Sequence, residues 1–124
     1  MSTAKADYIN SIMKSLDIPY QYMTWKGEIP NRYYTGEYTE VESVSMEENG
    51  YQETSFMING FARESWELLE KDKEALKDAL PKRKILEDGS GIAVFYGNAF
   101  PIRQDDASLK RIQINLTVKE WKVK

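Results

Sequence analysis

The chain of 124 residues contains no cysteine and no histidine. Without cysteine, disulfides and thiolate metal sites are excluded. Without histidine, the commonest general base and the commonest transition-metal ligand are missing together, and Ser-His or Cys-His nucleophilic dyads cannot form. Carboxylate-only chemistry remains possible in principle, and the chain is read as a non-enzyme. No apolar run approaches the roughly 20 residues needed to cross a bilayer. The opening "MSTAKADYINSIMKSL" lacks the continuous apolar core of a signal peptide, so a cytosolic origin is expected. A basic excess is missing as well: the formal charge is -3. No overall field draws nucleic acid or an anionic membrane.

What is present is the composition of an ordinary globular protein, 41% hydrophobic and 30% charged. Three Trp, eight Tyr and four Phe supply bulk for a core. A single domain spanning 1–124 is expected, large enough to bury one core. No repeat, linker or low-complexity tract interrupts it.

Ala4 to Leu16 reads as a helix, with Tyr8, Ile9, Ile12, Met13 and Leu16 on one stripe and Ser2 or Thr3 as its cap. Pro19 ends that pattern, and "YQYMTW" (Tyr20 to Trp25) has the aromatic content of a strand. After the loop "KGEIPN", strand-like sequence runs from about Tyr33 to Phe61, broken by Asn49-Gly50, a type I′ hairpin signal. Ser65 then caps a helix carrying Trp66, Leu69, Leu76 and Leu80 on one stripe, interrupted by Lys73, with Glu67 in its first turn. Glu70, Lys71, Asp72, Glu74, Lys77 and Asp78 fall mostly on the opposite, solvated face. Pro81 stops the helix, and "KRKILEDGSG" reads as a loop. "IAVFY" is a buried strand, bulged at Gly97 or Asn98 before "AFPIR" continues it. After the turn "QDDAS", Ile112, Ile114, Leu116 and Val118 alternate with Arg111, Gln113, Asn115, Thr117 and Lys119, so one face of the last strand is buried and the other wet.

The order helix–strand–long hairpin–helix–hairpin predicts an α+β domain: a mixed, mainly antiparallel twisted sheet with two helices packed on one face. Candidate chemistry is thin. "DGSG" (Asp88 to Gly91) opens a strand, whereas a phosphate loop opens a helix, so it is read as a turn. "LEDGSG" and "RQDDAS" lack the carboxylate spacing of a calcium loop, and neither a metal nor a cofactor is expected. "PKRK" (Pro81 to Lys84) and "KEWKVK" (Lys119 to Lys124) are read as a helix end and a protected strand edge, not as a sequence-specific nucleic-acid site. Tyr33, Tyr34 and Tyr38 are read as sheet aromatics before a ligand wall.

The long hairpin poses the sharper question. Fourteen extended residues from Tyr33 to Met46 would span roughly 46 Å, more than the about 35 Å diameter of a domain this size. The ribbon must bend, or its tip must leave the globule. If Glu48 pairs with Tyr51 across the turn, Val41 faces Ile58 and Ser43 faces Phe56, while Tyr38 faces Phe61 and Glu42 faces Met57 on the other side. Val44 would then face Ser55 and Met46 would face Glu53. On this register the base, with Val41, Phe56 and Ile58, joins the core. The tip has nothing to bury, except that Val44 and Met46 meet either the second helix or another subunit.

The chain length, this element order, the junction "SFMINGFARESWELLEKDKEALKDAL" and the ending "GIAVFYGNAFPIRQDDASLKRIQINLTVKEW" together resemble the tail-terminator (tail-completion, head–tail joining) proteins of long-tailed bacteriophages and prophages. The likeness covers nearly the whole chain and is one of architecture, with no signature motif. It implies a structural role without catalysis. Such proteins form a hexameric ring that caps the tail tube at its head-proximal end, stops polymerisation and offers the surface that joins the head connector. The implied partners are further copies of the chain, the tail-tube protein and the connector proteins, in a virion made in the host bacterial cytoplasm. The resemblance makes Val44, Met46, Glu48, Asn49, Tyr51 and Glu53 the candidate subunit or tube interface. It suggests that acidic loops at Glu87, Asp88, Asp105 and Asp106 line the lumen, where negative charge lets DNA pass without sticking. A second class of function stays open: a monomeric or dimeric small-ligand-binding domain with a pocket of Tyr20, Tyr22, Trp25 and Phe95.

Overall fold

The computed structural model describes residues 3–40, 52–63 and 65–121. In chain order the elements are α1 (Thr3–Ser15), β1 (Tyr20–Tyr22), β2 (Arg32–Glu40), β3 (Gln52–Arg63), α2 (Trp66–Ala79), β4 (Lys82–Ile85), β5 (Gly91–Ile102) and β6 (Leu109–Trp121). The strands form one six-stranded sheet in the order β1-β2-β3-β6-β5-β4. β1 runs parallel to β2, and the other neighbouring pairs are antiparallel. This is the expected α+β fold, with the sheet curled around its two helices.

Period-2 patterning decides which face of the sheet is covered. Along β6, Ile112, Ile114, Leu116 and Val118 are buried while the residues between them are partly exposed. Register carries that face across the sheet, through Phe56 and Ile58 on β3, Tyr34 on β2, and Ile92 and Val94 on β5. α1 lays Ile9, Ile12 and Met13 against it, and α2 adds Leu69, Leu76 and Leu80. Ser65 caps α2 as expected, its hydroxyl accepting from the Leu68 amide at 3.4 Å. Burying aliphatic side chains of this size stabilises the fold by about 1.5–3 kcal/mol each before entropy is counted.

Two glycines let aromatic rings lie flat on the sheet. A Cβ on Gly60 would overlap the Tyr34 ring, which is fully buried on the neighbouring strand. A Cβ on Gly36 would stand 2.6 Å from Phe56 Cε1. Tyr34 is also anchored at its far end. Its hydroxyl donates to Asp72 Oδ2 on α2 at 2.7 Å. Arg32 Nε lies 2.7 Å from the same oxygen, an ion pair in distance but poorly aligned for a hydrogen bond. Burial outweighs both partners and holds the Asp72 carboxyl above its ordinary value. Burial likewise pushes the Tyr34 hydroxyl up, with Asp72 adding to the effect.

Several expectations are corrected. The charge pattern of α2 puts Asp72 on the solvated face, yet it turns inward because Tyr34 and Arg32 reach it from β2. β2 and β3 pair with Tyr38 opposite Phe56, Gly36 opposite Ile58 and Tyr33 opposite Phe61. The expected register put Tyr38 opposite Phe61, Glu42 opposite Met57, Val41 opposite Ile58 and Ser43 opposite Phe56. The observed register is offset by five residues, an odd shift, and it brings Tyr38 to the helix-covered face. Val41 to Tyr51, with the Asn49-Gly50 turn, lie outside the described residues. β1 stops at Tyr22 rather than Trp25, because Met23 takes a left-handed φ of 69°. "KRKI", read as loop, is the edge strand β4. The β5 bulge falls between Tyr96 and Asn98, where it was expected.

Candidate assembly surface

Both helices sit on one face of the sheet, so the other face carries no layer among the described residues. Its rungs can be followed across the strands. The first is Tyr33–Phe61–Arg111–Ile102, followed by Thr35–Asn59–Gln113–Phe100, Glu37–Met57–Asn115–Asn98 and Thr39–Ser55–Thr117–Phe95. The bulge on β5 makes this continuity possible. It changes the strand's parity, so that Phe95 before it and Asn98 and Phe100 after it share one face.

The face is neither a hydrophobic patch nor a loose polar surface. Aromatic rings line one end, with Tyr33 stacked on Phe61 at 5.0 Å and Trp25 tilted against Tyr33 at 5.5 Å. The Arg111 guanidinium lies 5.5 Å from the Phe61 ring. Its Nη2 donates to Asn59 Oδ1 at 2.9 Å, and Asn59 Nδ2 donates to Glu37 Oε1 at 3.4 Å. Asn59 is only 7% exposed although no helix covers it, and Arg111 Nε is buried without a hydrogen-bond partner. Beside this chain, Gln113 Nε2 donates to Asn115 Oδ1 at 2.9 Å, and Asn115 Nδ2 donates to Asn98 Oδ1 at 2.8 Å. Phe95 and Phe100 stand 38% and 42% exposed at its β5 side, with Lys119 Nζ over the Phe95 ring. Interlocked amides and rings hold these side chains in fixed positions.

No cluster of three or more carboxylates able to hold a metal is found among the described residues. The residues expected to line a small-ligand pocket are not brought together. Tyr22 stacks with Tyr38 and Phe56, and Tyr20 packs against the core, both on the helix-covered side. Trp25 and Phe95 lie on the uncovered side. A shallow cleft beside α1 is lined by Asn10, Lys14, Asp17, Ile18, Pro19 and Tyr20, which includes only Tyr20 of that set.

Of the expected interface residues, Val44, Met46, Glu48, Asn49 and Tyr51 lie outside the described residues. Glu53 is half-buried on β3, on the uncovered face opposite Lys119. The acidic loops fall at opposite ends of β5. Glu87 and Asp88 belong to the β4–β5 turn, where Asp88 Oδ1 accepts from the Ser90 amide at 2.9 Å. Asp105 and Asp106 belong to the β5–β6 turn. There the Ser108 hydroxyl and amide, and then Arg63, hold the Asp106 carboxyl below its ordinary value. Within one chain the two loops are a strand length apart. Alternation in β6 marked Arg111, Gln113 and Asn115 as outward, but nothing local showed that they would link to Asn59 and Asn98. That linkage depends on strand order and on the bulge.

No family model and no curated protein matches the chain. Among solved structures, the chain is similar to one in the virion of a native gene transfer agent particle, with a TM-score of 0.65 and 15% identity over 89% of this chain and 84% of that one. It is also similar to a second solved protein whose name states no function, with a TM-score of 0.61 and 13% identity over 99% of both chains. At these identities what is shared is the fold.

Proposed function

We propose that this chain is a structural protein of a phage or phage-like particle that acts as tail terminators do. Copies form a ring, hexameric in the family it resembles, that caps the tail tube at its head-proximal end. The ring stops tube polymerisation and presents the surface that joins the head connector. The observation that carries this reading is the fold shared with a virion chain over 89% of the length. The uncovered, rigidly cross-linked sheet face supports it, since it offers a protein-binding surface without a catalytic constellation. The partners are other copies of the chain, the tail-tube protein and the connector. The two acidic turns would then form two separate belts, one from each end of β5.

Deleting the gene in a strain that makes the particles tests the proposal. Overlong tail tubes and unjoined heads are expected, with normal particles restored by the gene in trans. Tails of normal length joined to heads in the deletion strain would refute it. The interface expected at Val44 and Met46 is tested by Val44→Asp with Met46→Asp: joining should fail while the purified variant stays folded.

A further inference from the structure

The two edges of the sheet differ in charge. Past Arg32, β2 carries Glu37 and Glu40 and no cation. Both lie beyond the reach of β1, which pairs only with Tyr34, Thr35 and Gly36. That part of β2 is therefore a free sheet edge among the described residues, and Glu37 on it is exposed. At the other edge, β4 consists of Lys82, Arg83, Lys84 and Ile85. None of its three cations pairs with a carboxylate among the described residues, and Arg83 and Lys84 are exposed.

The two edges stand at the same level of the sheet. A continuous rung runs Lys82–Val94–Val118–Thr54–Glu40 from one edge to the other. Four strand spacings separate its ends, about 19 Å along the sheet at about 4.8 Å each. That exceeds the screening length of about 8 Å at physiological salt, so neither edge neutralises the other within a chain.

We propose that the acidic free edge of β2 in one copy docks on the basic β4 edge of the next. A free strand edge displays unpaired amides and carbonyls that invite pairing, and like charge is the usual means of refusing it. Here β4 refuses β4 and β2 refuses β2, while β4 and β2 attract. A two-fold dimer through either edge is disfavoured, and the favoured contact is head to tail. Such a heterologous contact repeats from copy to copy and yields a ring when its rotation closes. The inference identifies the subunit contact of the ring proposed above and rests on that reading only for closure.

The test uses two charge-reversed variants. One carries Lys82→Glu, Arg83→Glu and Lys84→Glu, which leaves both edges acidic. The other carries Glu37→Lys and Glu40→Lys, which leaves both edges basic. In sedimentation velocity and native mass spectrometry, with tail tubes present as template if the free chain is a monomer, the parent assembles. Each variant alone associates about tenfold or more weakly. Their equimolar mixture regains assembly with the two variants alternating. Because the chain has no cysteine, Glu40→Cys with Lys82→Cys, at the two ends of that rung, gives a second reading: oxidation should produce a ladder of covalently joined copies. Parental assembly by either folded variant alone, no recovery in the mixture, absence of the ladder, or a parent that stays monomeric even on tubes would overturn the contact. Unaltered capping of tubes by both variants would sink the edge contact and leave the tail-terminator reading standing. Edge-dependent rings that ignore tail tubes would do the reverse.

Discussion

Gly60→Ala asks how firmly the core is pinned around Tyr34. The new methyl would stand 2.6 Å from Tyr34 Cδ2 and 2.8 Å from Cζ, with no room between ring and sheet. Two responses are open. The ring can stay in place while strands β2 and β3 spread, an overpacking that costs about 1–3 kcal/mol. Alternatively the ring swings out and breaks the 2.7 Å bond to Asp72, a hydrogen bond to a carboxylate worth about 1.5–3 kcal/mol. The chain takes the cheaper route, so a loss of about 2 kcal/mol is expected, or about 8 °C in the thermal midpoint for a domain of this size. Urea unfolding followed by Trp fluorescence measures it. In a Tyr34→Phe background the ring has no anchor on α2, and the same substitution should cost about 1 kcal/mol less, a coupling that a double-mutant cycle reads directly. A loss under about 0.5 kcal/mol, or equal losses in the two backgrounds, would refute the pinning.

The pH dependence of stability should carry two opposite signatures. The native carboxyl of Asp72 is raised above the ordinary value of 3.8, chiefly by burial. Its contribution is therefore complete below 3.8 and is lost as pH rises through the raised value. Asp72→Asn should remove that decline from the urea midpoint measured between about pH 3 and 6. Asp106 is lowered by Ser108 and Arg63, so its contribution is present above 3.8 and lost as pH falls through the lowered value. Asp106→Asn should remove a slope of the other sign, small because the site is exposed. Phe56→Ala, at a fully buried position in mid-sheet, should cost about 3–5 kcal/mol in the same assay.

The sequence was most legible where a single period ran uninterrupted. β6 alternates over its whole length, and the stripes of α1 and α2 face the core at Ile9, Ile12, Met13, Leu69 and Leu76. It was least legible where partners come from far along the chain. Nothing near Asp72 announces Tyr34, which is 38 residues away, and the charge pattern of α2 alone favours solvent. Lys5 is another case. It lies on the apolar side of α1 yet is buried, donating to Thr54 Oγ1 at 3.0 Å. The hairpin register misled because Asn49-Gly50 is a strong local turn signal, whereas the rungs from Arg32–Ala62 to Glu40–Thr54 follow the core face of the sheet. β4 was missed because three successive cations read as loop; on an edge strand, charge is what keeps the edge from unwanted pairing. The candidate surface needed both strand order and the bulge to become visible.

The role at the tail end is tested most directly by cryo-electron microscopy of tail tubes to which the purified chain has been added. A closed ring of copies is expected at the head-proximal end of the tube, with no density for the chain along its shaft. Binding along the shaft, binding at the distal end, or uncapped tubes that continue to grow would contradict it.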